Sequence, residues 1–195
     1  MITMQPIYQV GLFLTQVLFD LFLILLMLRF IFQFLRVNFY NPMAQFVVKA
    51  TSFLVVPVRR VVPGFWGIDF ATIIVIIFVA LLKATAFLFL SQKAFTPINI
   101  SVYTTITLVD LIISLFFYAI LIRVILSWVA PFSNSPIATV IYTITEPMLR
   151  GVRKIIPPIG GFDLSPLIVS IVLIALKILS VAYLYQIGKY LGTSF

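Results

Sequence analysis

The chain has 195 residues, of which 63% are hydrophobic and 9% charged, with a mean hydropathy of +1.24. A charged share so far below the roughly 25% of ordinary soluble domains excludes that class and makes this an integral membrane protein. The 13 Lys and Arg against 5 Asp and Glu give a net charge of +8, and the absence of His and Cys removes the commonest metal ligands, any disulfide framework and thiol chemistry.

Four apolar stretches reach the ~20 residues that a bilayer-spanning helix requires. They cover 10–35, 70–90, 103–129 and 167–187. The first is expected to be a retained helix rather than a signal peptide, because 1–9 holds no Lys or Arg and no small-residue cleavage pattern follows the apolar run.

Between spans one and two, Asn41, Gln45, Lys49 and Ser52 recur at helical spacing, opposed by Met43, Phe46, Val47, Ala50, Phe53 and Leu54. Between spans three and four, Ser135, Thr139, Thr143, Glu146, Arg150 and Arg153 form a longer polar stripe opposed by Ile137, Val140, Ile141, Ile144 and Met148. Both patterns have the period of an amphipathic helix, which satisfies its two faces by lying in the membrane interface. A re-entrant position packed between the spans also satisfies the backbone and stays open.

Asn41-Pro42 and Ser135-Pro136 suit an N-cap followed by Pro at the first helical position, while Pro57 and Pro147 are expected to kink or end the helices that contain them. Pro157-Pro158-Ile159-Gly160-Gly161-Phe162 cannot be helical and turns the chain back toward the membrane, where Asp163 or Ser165 caps the fourth span. Trp66 and Trp128 fit interfacial anchoring.

The chain repeats itself. Arg29 and Arg123, Pro42 and Pro136, Thr51 and Thr145, Arg59 and Arg153, Pro63 and Pro157, Gly67 and Gly161, Asp69 and Asp163, and Lys83 and Lys177 share one offset, since 123 − 29 = 177 − 83 = 94. The fold class is therefore an all-α membrane protein made of two tandem units, 1–95 and 96–195. Each unit contains two transmembrane helices joined by an amphipathic helix and a Pro/Gly turn. Because each holds an even number of spans, the units run in the same sense, and a pseudo-two-fold axis along the membrane normal is expected.

Cations set the orientation. Arg36, Lys49, Arg59, Arg60, Arg150, Arg153 and Lys154 lie in the two connections, whereas Lys93 and Lys189 lie on the opposite side. The positive-inside rule then places the linkers in the cytoplasm and both termini outside.

Asp20, Lys83, Asp110 and Lys177 fall well inside the spans, where an unpaired ion costs at least ~2.5–3.5 kcal/mol, so each is expected to find a partner. Asp20 and Lys83 count to similar depths, with Asp110 nearer the outer surface and Lys177 near mid-membrane. The acidic positions break the repeat: Asp20 aligns with Ser114, and Asp110 with Gln16. A pair of Asp–Lys bridges holding the helices together is one reading; an ion or proton pathway, or Lys snorkelling without a partner, are the others. Arg29 with Asp69, and Arg123 with Asp163, are expected to tie each linker closed.

Enzyme chemistry has little support, since the acidic residues are scattered and neither phosphate loop nor metal set is present. No cofactor is expected; a haem would depend on Met, Tyr or Lys as axial ligand.

The run Thr145-Glu146-Pro147-Met148-Leu149-Arg150-Gly151-Val152-Arg153-Lys154-Ile155-Ile156-Pro157-Pro158-Ile159-Gly160-Gly161-Phe162-Asp163-Leu164-Ser165-Pro166 closely resembles the signature of the YggT family. Arg123-Val124-Ile125-Leu126-Ser127-Trp128 and Asn134-Ser135-Pro136 resemble its upstream portion, so the likeness covers the two-repeat form of the family. The first unit departs from the signature, with Ser52-Phe53 in place of Glu146-Pro147 and Trp66 in place of Gly160, and equal roles for the two units do not follow.

The resemblance implies a multi-pass protein of the bacterial inner membrane linked to osmotic-shock tolerance through ion homeostasis. The similar YlmG proteins are linked to cell division and envelope organisation, and plastid relatives to nucleoid distribution and maturation of a membrane cytochrome. No reaction unites these roles, which favours an organising or assembly factor, although a transport activity would scatter phenotypes equally.

Three readings remain. A membrane organiser would use Arg59, Arg60, Glu146, Arg150, Arg153 and Lys154 to dock anionic lipid headgroups or envelope proteins. An ion channel or transporter component would use Asp20, Lys83, Asp110 and Lys177, and would need several copies, because four helices leave little room for a pore. A nucleic-acid tether is the weakest, since the chain has no soluble domain to carry it.

Overall fold

The computed structural model describes residues 5–65, 67–129, 135–158 and 163–192, which form six helices. They are α1 (Gln5–Phe34), α2 (Pro42–Val61), α3 (Phe70–Leu90), α4 (Pro97–Val129), α5 (Pro136–Arg153) and α6 (Ser165–Tyr190). Among the described residues, α1, α3, α4 and α6 are long and apolar enough to cross a bilayer. With 30 and 33 residues, α1 and α4 exceed the hydrocarbon thickness, so they tilt or project past it.

The linker helices begin where side chains replace missing backbone partners. Asn41 accepts a hydrogen bond from the Met43 amide at 2.8 Å and Ser135 from the Ala138 amide at 3.2 Å, each with proline in the first helical turn. Pro57 and Pro147 do not end their helices, which continue to Val61 and Arg153. Packing along the remaining faces outweighs the one backbone bond each ring removes.

At the start of α3, Asp69 accepts from the Thr72 amide. The start of α6 differs, because its N-cap is Leu164 with no side-chain cap, and Asp163 accepts from the Ser165 amide one position earlier. Phe65 and Ile68 exchange backbone bonds around Gly67, whose φ of +79° favours glycine. The corresponding Gly160-Gly161 turn, Asn134 and Trp66 lie outside the described residues; Pro157 and Pro158 follow the end of α5 in non-helical conformation.

Each linker helix lies across the end of its own pair of spans. Asn41 follows α1 directly, and Arg59 near the far end of α2 hydrogen-bonds Gln33 in the last turn of α1, so both ends of α2 stay at one face. The buried stripe of α2 is Ala44, Val47, Thr51 and Val55, while Phe46 and Phe53 are exposed. That differs from the apolar side expected from spacing, because the Arg29 guanidinium draws Thr51 inward. In α5, Ala138, Val140, Ile144, Thr145 and Leu149 are buried.

The core joins Leu23, Leu26, Met27, Ile31 and Phe32 of α1 to Val75, Val79 and Ala80 of α3, and Leu111, Leu115 and Ala119 of α4. In lipid such contacts act through close van der Waals packing and interhelical polar bonds, since hydrocarbon tails are as apolar as leucine. A smaller cluster of Ile120, Leu149, Val169 and Leu173 joins α4, α5 and α6.

The two units meet head to tail. Repeat one's second span, α3, packs on repeat two's first span, α4, whereas α6 makes no comparable contact with α1 among the described residues. A closed two-fold would require both contacts, so the expected pseudo-two-fold arrangement is not completed within one chain. At the linker face, α2 touches α5, and the Asn41 amide donates to the Pro136 carbonyl at 2.8 Å.

Candidate functional site

Charged side chains gather at two levels. At the linker face of repeat one, the Arg29 guanidinium from α1 is 4% exposed and reaches the Val48 carbonyl, Thr51 Oγ1 at 2.8 Å and Ser52 Oγ, all neutral acceptors. Asp69 bonds Arg59 and the Thr72 hydroxyl, and its side chain is 1% exposed.

In repeat two, Arg123 reaches Thr145 at 2.9 Å, Glu146 at 2.8 Å and the Tyr142 ring at 4.8 Å. Glu146 also binds Arg153 at 2.9 Å, and Arg153 binds Asp163 at 2.7 Å, which closes a chain of four alternating charges.

The expected Arg29–Asp69 and Arg123–Asp163 ties are therefore corrected: Asp69 pairs with Arg59, and Asp163 with Arg153. Each Asp begins a helix beside the last turn of its own linker helix, while the Arg of the preceding span points into that helix's middle. The signal was present, because Arg59 and Arg153 obey the repeat and each stands ten residues before its Asp, since 69 − 59 = 163 − 153 = 10.

Burial alone would raise the Asp69 carboxyl, but hydrogen bonds from Thr72 and Arg59 overcome it and hold the group below the ordinary carboxylate value. For Asp163, bonds from Arg153 and Ser165 likewise outweigh burial. Burial also opposes the Arg153 charge, yet Asp163 and Glu146 push that guanidinium above its ordinary value.

The second level lies inside the spans. Lys83 Nζ binds Asp20 Oδ1 at 2.6 Å, joining α3 to α1, and Lys177 Nζ binds Asp110 Oδ1 at 2.9 Å and Ser114 at 2.8 Å, joining α6 to α4. Ser114 occupies the position that Asp20 has in repeat one, so the second lysine keeps that contact as a neutral bond and takes its carboxylate one turn away.

Asp20, Lys83, Tyr103, Thr107, Asp110 and Tyr185 line one cavity of about 220 Å³ between the repeats. Sequence reasoning missed Tyr103, Thr107 and Tyr185; polar residues within apolar spans were the available signal. On the linker side, α1 continues with Leu23 and Leu26, both fully buried, and Met27 at 5%, so packed hydrocarbon closes the cavity from that end. A larger cavity of about 820 Å³ lies at the linker face of repeat two, with Arg123, Tyr142, Arg153, Asp163, Trp128 and Leu167 among its lining.

Of the other expected linker residues, Arg60, Arg150 and Lys154 are exposed and form no ion pair among the described residues. No cluster of three or more metal-binding acidic residues occurs among the described residues.

Four apolar helices arranged as a repeated pair, with a capped helix across each pair, define a multi-pass α-helical membrane protein. The chain belongs to the CCB3/YggT family, which it matches over residues 8–90 and 102–184, two segments with the same 94-residue offset, since 102 − 8 = 184 − 90 = 94. It is 37% identical to a Pseudomonas aeruginosa protein over 184 residues, 93% of this chain and 92% of the relative. YggT of Escherichia coli is 35% identical over 161 residues, 83% of this chain and 84% of that one. A Vibrio alginolyticus protein is 39% identical over 162 residues, 82% of this chain and 86% of the relative. Neither the family description nor these names carries an enzymatic activity. No solved structure matches the chain.

Proposed function

We propose that this protein supports osmotic-shock tolerance in the bacterial inner membrane as an organising factor, with its linker helices in the cytoplasm and both termini outside. The observation that carries the docking role is the exposed set Arg60, Arg150 and Lys154, left without ion pairs while neighbouring arginines are consumed in fixed networks. Cations presented on capped helices at a membrane surface attract anionic headgroups by about 1 kcal/mol each and hold acidic partner proteins in the same way. The cavity beside Arg123 and Arg153 offers an apolar wall of Leu121, Val124 and Leu167 next to those charges, which suits a lipid headgroup and the start of its chains. The osmotic role rests on the family resemblance, and no catalytic step is assigned.

The test is survival of hyperosmotic shock by a strain lacking the protein, complemented with wild type or with R60Q/R150Q/K154Q at equal membrane abundance. Loss of protection in the triple variant is expected; full protection would overturn docking by these cations.

Conduction is the second reading, favoured by the polar cavity around Asp20, Lys83 and Asp110. The packed residues on its linker side oppose passage through a single chain. Potassium and proton flux into proteoliposomes decides between them: the organising reading expects none, and flux lost in K83M and K177M would replace it with conduction.

A further inference from the structure

The large cavity at the linker face of repeat two is lined by smaller side chains than stand at the matched positions of repeat one. Val124, Ser127, Leu164 and Ser170 line it, where the 94-residue offset puts Phe30, Gln33, Phe70 and Ile76 in the first repeat. Gln33 accepts from Arg59, whereas Ser127 donates to the Val124 carbonyl and has no bond to Arg153. Pro166 stands in place of Thr72, whose hydroxyl bonds Asp69, and the Asp163 side chain is 30% exposed where that of Asp69 is 1%. These exchanges open both space and polar groups toward the cavity.

The charges at this wall alternate. Arg123 and Arg153 flank Glu146, and Arg153 continues to Asp163, so two cations and two carboxylates sum to zero. A headgroup of net negative charge meets guanidiniums that are already neutralised, whereas one that carries both signs finds a partner for each. Arg123 directs Nη1 and Nη2 to Tyr142, Thr145 and Glu146, its Nε has no partner among the described residues, and neither has the Ser170 hydroxyl. Arg123 lies six residues before the end of α4 at Val129 and Ser170 five after the start of α6 at Ser165, since 129 − 123 = 6 and 170 − 165 = 5. Both therefore sit about 8–9 Å inside the helix ends, at the level of the headgroup region. From there Leu167, Ile171, Ile174 and Ile178 follow one face of α6, between 43% and 63% exposed, and give an acyl chain a track into the hydrocarbon.

We propose that this cavity holds one glycerophospholipid with a zwitterionic, amine-bearing headgroup. Its phosphate accepts from Arg123 and Ser170, its ammonium donates to Asp163, and a chain runs down α6. A trimethylated ammonium has no N–H to give Asp163, so the site selects ethanolamine over choline headgroups. The proposal names the ligand within the lipid-docking reading above and rests on it. Arg60, Arg150 and Lys154 lie outside the cavity and act on net negative charge alone, so the two places select different lipids.

The test offers the purified full chain, stripped of lipid in detergent, equal amounts of phosphatidylethanolamine, phosphatidylcholine and phosphatidylglycerol, and counts retained lipid by native mass spectrometry. One phosphatidylethanolamine per chain is expected, preferred about tenfold over phosphatidylcholine, the worth of one charge-assisted hydrogen bond. D163N is expected to turn the preference to phosphatidylglycerol, because the wall then carries net positive charge; an aspartate with a merely structural role would not move it. V124F/S170I, which installs the side chains of repeat one, is expected to abolish retention at an unchanged melting temperature, and R60Q/R150Q/K154Q to leave it intact. Equal retention of the three lipids, a wild-type preference for phosphatidylglycerol, an unaltered preference in D163N or full retention in V124F/S170I would each overturn the proposal. Loss of retention in R60Q/R150Q/K154Q would overturn it in favour of the exposed cations, and displacement by chain-free glycerophosphoethanolamine would overturn it in favour of a soluble ligand. The osmotic-shock test of the triple variant reads the exposed cations alone, so either reading fails without the other.

Discussion

The two repeats hold the same arginine in different ways. Arg29 is buried against hydroxyls and a carbonyl, whereas Arg123 meets the Glu146 carboxylate and the Tyr142 ring. The cause is two substitutions at matched positions, Ser52 for Glu146 and Val48 for Tyr142. Repeat one thus encloses a cation among neutral dipoles, deep in its core, and repeat two ties its cations into a partly buried chain of alternating charges. The same contrast recurs inside the spans, where Lys83 is sheltered and Lys177 is open. Residues at matched positions are thus enclosed in one repeat and more open in the other, as Asp69 at 1% and Asp163 at 30% side-chain exposure also show.

The largest break in this contrast comes from the lysines. K83M strands Asp20 beside a buried apolar group and is expected to lower stability by about 3–5 kcal/mol, whereas K177M in single detergent-solubilised chains costs about 1 kcal/mol. Thermal unfolding of both variants checks the ranking, and equal losses would remove the distinction between sheltered and open pairs.

Next come the linker carboxylates. D69N leaves Arg59 and Thr72 without their acceptor charge at a 1% exposed site and is expected to cost about 2–3 kcal/mol. D163N, at 30% side-chain exposure, costs less than about 1 kcal/mol. Denaturant titration of the pair measures the gap.

A swap at the divergent position sharpens the comparison further. E146S is expected to lower stability by about 1–2 kcal/mol, and S52E, which brings a carboxylate to Arg29, to raise the melting temperature. A falling melting temperature for S52E would mean that the neutral cage around Arg29 is already optimal.

The smallest effect is pH dependence. Asp69 and Asp163 have lowered pKa values in the folded state, so their stabilisation is complete above the unfolded value of about 3.9 and is lost as pH falls through the folded values. Melting temperatures from neutral pH down to about pH 3 should fall below about pH 4, and less steeply in D69N.

Much of the architecture was legible in the chain because a membrane imposes simple rules. Spans read as 70–90 and 167–187 appear as Phe70–Leu90 and Ser165–Tyr190, since an unbroken apolar run has no other stable form in hydrocarbon. The N-caps at Asn41 and Ser135 were equally visible, because capping is a local matter of one side chain and two amides. Pairing was not local. The ties from Arg29 and Arg123 to the Asp residues were misread because sequence distance gives no information about which turn of a crossing helix a guanidinium meets. The cavity residues Tyr103, Thr107 and Tyr185 come from two helices facing a third and a fourth, a juxtaposition that no single span encodes.

By itself the sequence determined the medium, the number of spans, the duplication and the charges that must find partners, because composition and periodicity act residue by residue. Only the tertiary structure decided which carboxylate each cation holds and that the repeats meet head to tail. Those choices depend on how far apart helices pack and which faces they turn to one another, quantities set by all six helices together.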